Sequence, residues 1–259
     1  MASRRYRADY YLFRHFLMGM GSFHDGKVIS HGAMKLVFGI NQPFRIRLQK
    51  NWYTARAALI DGECPHFLNG NGDWQILLWI DPDTSLWHLL RRRSLKGRPW
   101  VLHDVPVPPA MDEVIQTVGD TPDPLGALKL AEMLLRVYSG GIPVPSTWDE
   151  GVKKAVETID ENPGVIDIGS FNGLDEGFRR VVGTSLESCL HRCKWIQYLG
   201  LRHGGVPRQE SLELSGLIGW EGLSDWFEER YGLELNVLEN HLPFVRVYNG
   251  PEDQPVLYL

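Results

Sequence analysis

The chain has 259 residues, 43% hydrophobic and 23% charged, which is typical of a folded globular protein. No apolar run approaches the roughly 18 residues that a membrane helix needs, and three cysteines provide no disulfide framework. We therefore expect a cytoplasmic protein without a membrane partner. Residues 1–148 carry 17 Lys+Arg against 13 Asp+Glu, whereas residues 149–259 carry 10 against 19, a poor electrostatic match for DNA in the second half.

The first hundred residues contain short segments of strand composition, separated by turn signals such as Asp-Gly and Asn-Gly-Asn-Gly. No helical pattern lies between these segments, and many short strands at this spacing favour a β-sandwich or barrel over a parallel sheet. The predicted strands are residues 10–18, 34–38, 44–48, 57–60, 74–80 and 101–103.

Helical spacing begins after the Pro106–Pro109 segment. Residues 111–118 and Leu125–Tyr138 are predicted helices, and the second carries a stripe of leucines. The Gly140–Pro145 segment has the composition of a linker. From Thr147 to about residue 240 the chain is predicted to be helical, with capping boxes at Thr147–Glu150 and Thr184–Glu187.

The helical region contains an internal similarity. Two segments each place three apolar residues at i, i+4 and i+8, followed by a glycine where a helix C-terminus favours one. The two sets are Leu174, Phe178, Val182, Gly183 and Leu223, Phe227, Tyr231, Gly232.

Several spacings of this region, taken together, resemble one known family. The segments 149–163, 168–183, 185–201 and 210–232 resemble, in this order, the helices of the DNA-binding module of AraC/XylS-type transcription regulators. The segments Ala57–His66 and Gly72–Pro82 are similar to the cupin sensor of the same family.

The resemblance implies an α+β protein with a cupin-like β-barrel followed by an all-α tandem helix-turn-helix domain. Residues 1–108 would form the barrel sensor, 109–146 a helical dimerisation and linker segment, and 147–259 the double helix-turn-helix domain. The first unit is shortened, because the family has a further helix where this chain has only Gly164–Asp167.

The implied function is an AraC-type regulator that senses a small-molecule effector in its barrel, binds double-stranded DNA and forms a homodimer through Leu125–Tyr138. Ser170 would cap the first recognition helix. Cationic residues beside the first unit would contact phosphates. The candidate DNA-binding residues are Ser170, Asn172, Arg179, Arg180, Arg192, Lys194 and Arg208.

A second reading remains open at this stage. Glu221, Asp225, Glu228 and Glu229 fall on or beside the second recognition helix, where the family usually has basic or polar residues, and carboxylates repel phosphates. The chain could therefore be a degenerate relative that binds a ligand or a protein partner but does not bind DNA by itself.

In the barrel, His31, His66 and Trp79 are the candidate ligand-binding residues. Metal-binding cupins use a His-x-His pair with a Glu and a later His, and this ligand set is incomplete here, so we expect no metal, no cofactor and no enzymatic activity. The tryptophans 52, 74, 79 and 87 fit a ligand pocket or a packed core equally well. The basic run at residues 91–98 is interpreted as a solvated surface.

Overall fold

The computed structural model of the chain describes residues 8–13, 16–82, 84–104, 107, 109–120, 123–139, 154, 158–159, 163–166, 169, 173–182, 185–217, 219–240 and 245–247. Strands come first and helices follow, so the protein belongs to the α+β class, as predicted. Ser170 and Asn172 lie outside the described residues, as does most of the helix predicted after Thr147.

The strands are β1 (Asp9–Leu12), β2 (Phe16–Gly21), β3 (Met34–Gly39), β4 (Phe44–Leu48), β5 (Asn51–Ala55), β6 (Ala57–Ile60), β7 (His66–Asn69), β8 (Gln75–Ile80), β9 (Trp100–His103) and β10 (Val245–Val247). They form a seven-stranded sheet in the order β10-β1-β2-β8-β3-β6-β9 and a three-stranded sheet in the order β5-β4-β7. Together the two sheets form the β domain. The pairs are antiparallel, except that β10 joins β1 in parallel.

The helices are α1 (Ser85–Leu90), which continues as a π-helix over Arg91–Leu95, then α2 (Asp112–Asp120), α3 (Pro124–Ser139), α4 (Asp175–Val182), α5 (Leu186–His203), α6 (Arg208–Leu214), α7 (Trp220–Tyr231) and α8 (Leu235–Asn240). Helices α4–α8 form the helical module. Ser185 caps α5 by accepting a hydrogen bond from Ser188 N, and Gly232 ends α7 in the left-handed region. In the part of the chain that is described, no helix is both long and apolar enough to cross a bilayer.

Both faces of the large sheet are covered, which explains why β2, β3 and β8 are buried along their whole length. Because side chains alternate along a strand, Met34 and Leu36 lie on one face of the sheet, and Ala33 and Val37 lie on the other. The Met34 face packs against α1, α2 and α3. The Val37 face packs against the small sheet and against α5, α7 and α8 of the helical module.

The apolar stripe of α3, the predicted dimerisation helix, is largely used inside the chain. Leu130, Ala131, Leu134 and Leu135 are fully buried in the cluster that covers the large sheet. Leu125, by contrast, is 46% exposed. A homodimer through this helix therefore stays a prediction, with little of the stripe left to form it.

The sequence prediction of the strands differs from the structure at the start of the chain. The single strand predicted over residues 10–18 is a hairpin of β1 and β2, closed by Phe13 N donating to Phe16 O at 3.1 Å. No glycine or proline marks this hairpin. The strands β5, β7 and β10 and the helix α1 were not predicted, whereas β4 and β6 have the predicted bounds.

Candidate functional site

A lysine lies inside the β domain. Lys35 is on β3, faces the same side as Val37, and is 1% exposed. Its Nζ lies 5.6 Å from the centre of the ring of Trp79, the residue paired with it on β8. Burial lowers the pKa of Lys35, and the Asp25 carboxylate counters this effect only in part. Because an uncompensated buried cation is costly, this position favours a neutral amine or a bound anion.

The two histidines that the sequence singled out lie together beside Lys35. His31 and His66 are 4% and 2% exposed, and their ring centroids are 5.2 Å apart. Burial, and then the charge of Lys35, lowers the pKa of His66 to about 3 and that of His31 well below its usual range. Both imidazoles are therefore neutral at physiological pH.

Ring nitrogens at this site lack hydrogen-bond partners. His66 Nδ1 lies 2.9 Å from Cys64 O, but His66 Nε2 has no partner among the described residues. Trp79 Nε1 also has none within that part of the chain. Buried polar groups in folded proteins are normally paired, so these nitrogens are the kind of group that a bound polar molecule would satisfy. We call Lys35, His31, His66 and Trp79 the interior site.

The sequence predicted His31, His66 and Trp79 as ligand-binding residues, and all three lie around Lys35 in the structure. The sequence prediction did not include Lys35. The available signal was the polarity of the segment Met34–Phe38, in which every residue other than the lysine is apolar. A lysine in such a strand reaches solvent only if the face it shares with Val37 is open, and here that face is covered.

The helical module closes the β domain next to His31. The amides of Gly32 and Ala33 donate to the carbonyl oxygens of Glu229 and Arg230 at 2.9 and 2.8 Å. These carbonyls belong to the last turn of α7, which has no partners within the helix for them. A Cβ at Gly232 would lie 2.7 Å from His31 Cδ2, so the chain passes the imidazole at a distance that only glycine permits.

A buried ionic cluster holds the same two parts together. Asp81, just after β8, accepts from Arg230 Nε at 2.9 Å and from the Tyr231 hydroxyl at 2.5 Å. Arg192 Nη1 on α5 lies 2.7 Å from the other oxygen of Asp81, and Arg192 Nε donates to Phe13 O at 2.9 Å. Burial lowers the pKa of Arg230, but the Asp81 carboxylate and the Tyr231 side chain together outweigh this effect and raise it overall. We call these residues the Asp81 cluster.

Two of the cations predicted to contact DNA make ion pairs with acidic residues of other elements. Arg192 is 3% exposed within the Asp81 cluster. Arg208 pairs with Glu239, and its guanidinium lies 4.0 Å from the centre of the Trp220 ring. In this arrangement Arg192 cannot reach a phosphate, because its side chain is enclosed between α5, α7 and the β domain.

The other predicted DNA contacts are placed differently. Arg179 on α4 is exposed and pairs with Asp175 at 2.9 Å, one helical turn away. The backbone of Arg180 lies on the same helix, and its side chain is not among the described ones. Lys194 is half-buried, and its Nζ lies 3.4 Å from Gly216 O. These three residues lie on helices of the module, as the sequence predicted.

The outer side of α7 is acidic. Glu221, Asp225, Glu228 and Glu229 are exposed, whereas the stripe of Leu223, Phe227 and Tyr231 is buried, as its spacing predicted. Glu228 lies 3.6 Å from Lys27 of the β domain. A duplex approaching this helix would meet carboxylates first, which opposes phosphate binding.

The remaining sequence candidates divide between core and surface. Trp79 is core, Trp74 and Trp87 are partly buried against the Met34 face of the large sheet, and Trp52 is 44% exposed. The basic run is exposed at Arg91–Arg93, with Arg91 3.2 Å from Asp61. Within the described ranges, no three His, Cys, Asp or Glu side chains converge in a way that could hold a metal ion.

No protein-family model matches the sequence, and a search of curated proteins returns no match either. Solved structures do match. ToxT from Vibrio cholerae, bound to (E)-4-(8-methylnaphthalen-1-yl)but-3-enoic acid, is 10% identical, with 88% of this chain and 99% of that chain covered and a TM-score of 0.46. The AraC-like transcriptional activator CuxR is 10% identical, with 92% and 84% covered and a TM-score of 0.34. Both likenesses are too distant to assign a function.

Proposed function

We propose that this protein is an AraC-type regulator whose β domain binds a small anionic molecule at the interior site and whose helical module responds to it. The observation that supports this best is Lys35, a buried cation beside two unpartnered ring nitrogens. The site lies directly beneath the end of α7.

A carboxylate is the ligand chemistry that fits. It would add to the counter-charge that Asp25 supplies only in part to Lys35, and would accept hydrogen bonds from the N–H of Trp79 and from a neutral imidazole. Apolar neighbours such as Leu77 and Val37 would contact the rest of the molecule. The interior site thus combines one charge, a few directed donors and an apolar lining.

The response would pass through His31. This side chain belongs to the interior site and also contacts Gly232 at the end of α7. A ligand that moves the imidazole changes the fit of α7 against the β domain, so it binds the two arrangements of this contact with different affinity. Such a difference is what a ligand needs in order to shift a conformational equilibrium.

The test compares Lys35→Met with Lys50→Met, a matched change at an exposed lysine in the β4–β5 turn. The probes are octanoate and benzoate, and calorimetry measures their binding to each protein. Titration with chloride at the same ionic strength is the reference. We expect the wild type and Lys50→Met to bind and Lys35→Met to bind at least about tenfold more weakly, because a charge-assisted contact is lost. Equal affinity of all three proteins for the carboxylates contradicts the proposal. So does a wild type that binds neither octanoate nor benzoate.

The acidic outer side of α7 favours a second candidate function, a ligand- or partner-binding protein that does not bind DNA by itself. Three of the cations predicted to face DNA, Arg179, Arg192 and Arg208, are already paired with carboxylates. The exposed charges of α7 are carboxylates, and its one cation, Arg230, is partly buried. In this case the module would act through protein contacts while it remains docked.

Fluorescence anisotropy with a random-sequence duplex at low and moderate salt distinguishes the two functions. Binding at low salt that weakens as salt rises, and that Arg179→Glu reduces, supports DNA binding through the α4 side of the module. The absence of binding at low salt, where electrostatic affinity is greatest, supports the second function. Lys129→Glu, on the exposed side of α3, is the charge-matched control.

A further inference from the structure

The helical module contains a cavity that neither the interior site nor the Asp81 cluster uses. It lies between α5 and the start of α7 and has a volume of about 250 Å³. This is several times the space that a water molecule occupies, which is about 30 Å³ in the liquid. The lining residues are His191, Lys194, Gly216, Leu217, Gly219, Gly222 and Leu223.

The electrostatics of this cavity are opposite to those of the surface around it. The lining includes Lys194, whose Nζ has a long 3.4 Å contact to Gly216 O, and no lining residue is acidic. The neighbouring Arg230 and Lys194 are close enough to His191 to lower its pKa, after the larger effect of burial. The outer side of α7 nearby presents carboxylates, so the positive cavity is a local exception in an acidic region.

A hydrogen-bonding group in the cavity wall is unused. His191 Nδ1 is enclosed, and none of the residues described in the structure offers it a partner. The ring packs against Trp226, with centroids 4.3 Å apart. An imidazole beside an ammonium group can donate to or accept from a ligand.

Small residues leave the cavity open. A Cβ built at Gly222, in the first turn of α7, would meet nothing within 4 Å, and the same holds for Gly219. Packing therefore does not require glycine at position 222, where glycine costs helix stability relative to most residues. The absence of a side chain there keeps the opening clear.

We propose that this cavity binds a phosphate group, with Lys194 supplying the charge, His191 a hydrogen bond and Gly222 the access. Phosphate is favoured over a larger apolar ligand because the cavity is small and cationic and because its glycines allow close approach. The proposal does not depend on the interior site, which takes a different ligand in a different part of the fold. The group could be that of a free phosphorylated metabolite or of a DNA backbone.

The first experiment measures thermal unfolding of the full chain as inorganic phosphate replaces chloride at constant ionic strength. A ligand that binds only the native state raises the unfolding temperature, and the increase grows with the ratio of ligand concentration to Kd. We expect phosphate to stabilise the wild type and Lys129→Met. Lys194→Met should bind phosphate about tenfold more weakly or worse, because it keeps the aliphatic stem but loses the charge. A wild type indifferent to phosphate, or equal affinities in all three proteins, overturns the proposal.

A second pair of variants locates the site. Gly222→Leu should cover the opening and weaken phosphate binding, whereas Gly200→Leu, in the last turn of α5 with nothing within 4 Å of its Cβ, should not. Both substitutions replace a helical glycine, so both proteins are expected to stay folded in chloride. Unchanged phosphate affinity in Gly222→Leu places the anion elsewhere and overturns the assignment to this cavity.

A competition experiment distinguishes the two possible sources of the phosphate group. If ribose 5-phosphate binds and a short random duplex does not displace it, the cavity takes a free phosphorylated molecule. If the duplex displaces phosphate, and Lys194→Met weakens both, the group belongs to a DNA backbone. Both outcomes support a phosphate site, and either is compatible with failure of carboxylate binding at Lys35.

Discussion

At the scale of single residues, the buried imidazole of His66 links folding to pH. Burial and the charge of Lys35 lower its pKa to about 3, whereas in the unfolded chain it has its ordinary value of 6.5. Between these values the unfolded chain binds a proton that the native chain excludes. Stability is therefore lost as pH falls from about 6.5 towards about 3.

We predict that the free energy of unfolding falls steeply with decreasing pH and that His66 causes part of this fall. Urea unfolding of the wild type at several pH values below 6.5 should show a loss approaching about 1.4 kcal/mol per pH unit for each excluded proton. His66→Phe should reduce this slope, although His31 contributes to it in the same direction. The exposed His203, changed to Asn, is the control and should leave the slope as it is. Parallel slopes for His66→Phe and the wild type would refute the assignment.

Asp81 is the residue on which two buried or half-buried arginines depend. Asp81→Asn removes the charge that faces Arg192 and Arg230 but keeps the shape of the side chain. We expect a loss of about 3–5 kcal/mol in the free energy of unfolding, because breaking a buried ion pair leaves a cation uncompensated. Chemical denaturation measures the loss.

The exposed Asp104, changed to Asn, is the matched control and should alter stability by no more than about 0.5 kcal/mol. An equally small effect at Asp81 would mean that the Asp81 cluster does not hold the helical module against the β domain. Removal of the Tyr231 hydroxyl, by contrast, leaves both arginines paired and should be milder.

At the scale of elements, the end of α7 is the point where the helical module meets the interior site. Gly232 and Gly205 both have left-handed backbones, with φ of 66° and 87°. A Cβ at Gly205 meets nothing, whereas at Gly232 it meets His31 at 2.7 Å. Alanine at either position incurs the backbone cost of about 1–2 kcal/mol, and only Gly232→Ala adds a steric conflict.

Gly232→Ala should therefore be clearly less stable than Gly205→Ala, and it alone should alter carboxylate binding, because it displaces His31. Calorimetric unfolding and octanoate titration of the two variants test this. Indistinguishable variants would show that the contact between α7 and His31 can relax freely, and the proposed route from ligand to module would then fail.

Elements with a strong local pattern could be predicted from the sequence. The segment Ala57–Ile60 is a run of apolar residues between turns, and Leu223–Tyr231 has one apolar stripe and a terminal glycine, and both are found as predicted. The hairpin at Phe13–Phe16 has no turn residue to reveal it. The strands β5 and β7 lie in the small sheet, where Trp52 and Phe67 face the exposed side and blur the alternation.

The interior site was predictable only in part, because strand pairing decides which residues share it. The histidines and Trp79 stand out by residue type alone. Lys35 is buried only because β3 pairs with β8 and the helical module covers the same face of the sheet. Both features depend on contacts between distant parts of the chain. The ion pairs of Arg192 and Arg208 were likewise hidden, because their partners Asp81 and Glu239 lie on other elements.

At the scale of the whole molecule, the boundary predicted before Thr147 does not separate two independent cores. One apolar cluster contains strand residues such as Leu17 and Leu77 together with Trp195, Tyr198 and Phe227 of the module. The strand β10, beyond the helices, pairs with β1 at the edge of the large sheet. The module and the β domain therefore share their stabilising contacts.

The last prediction follows from this shared core and concerns a fragment of residues 147–259. Without the β domain, the fragment would expose the apolar faces of α5 and α7 and would leave Arg192 and Arg230 without Asp81. We expect the fragment to lack a cooperative unfolding transition, and the full chain to unfold in a single one, as two-state domains do. Calorimetry and far-ultraviolet circular dichroism of both proteins measure this. A fragment that melts cooperatively would mean that the module is stable undocked, and release from the β domain would then be a feasible response to a ligand at Lys35. A fragment that does not melt cooperatively limits that response to a change in fit at the His31–Gly232 contact, because full release would unfold the module.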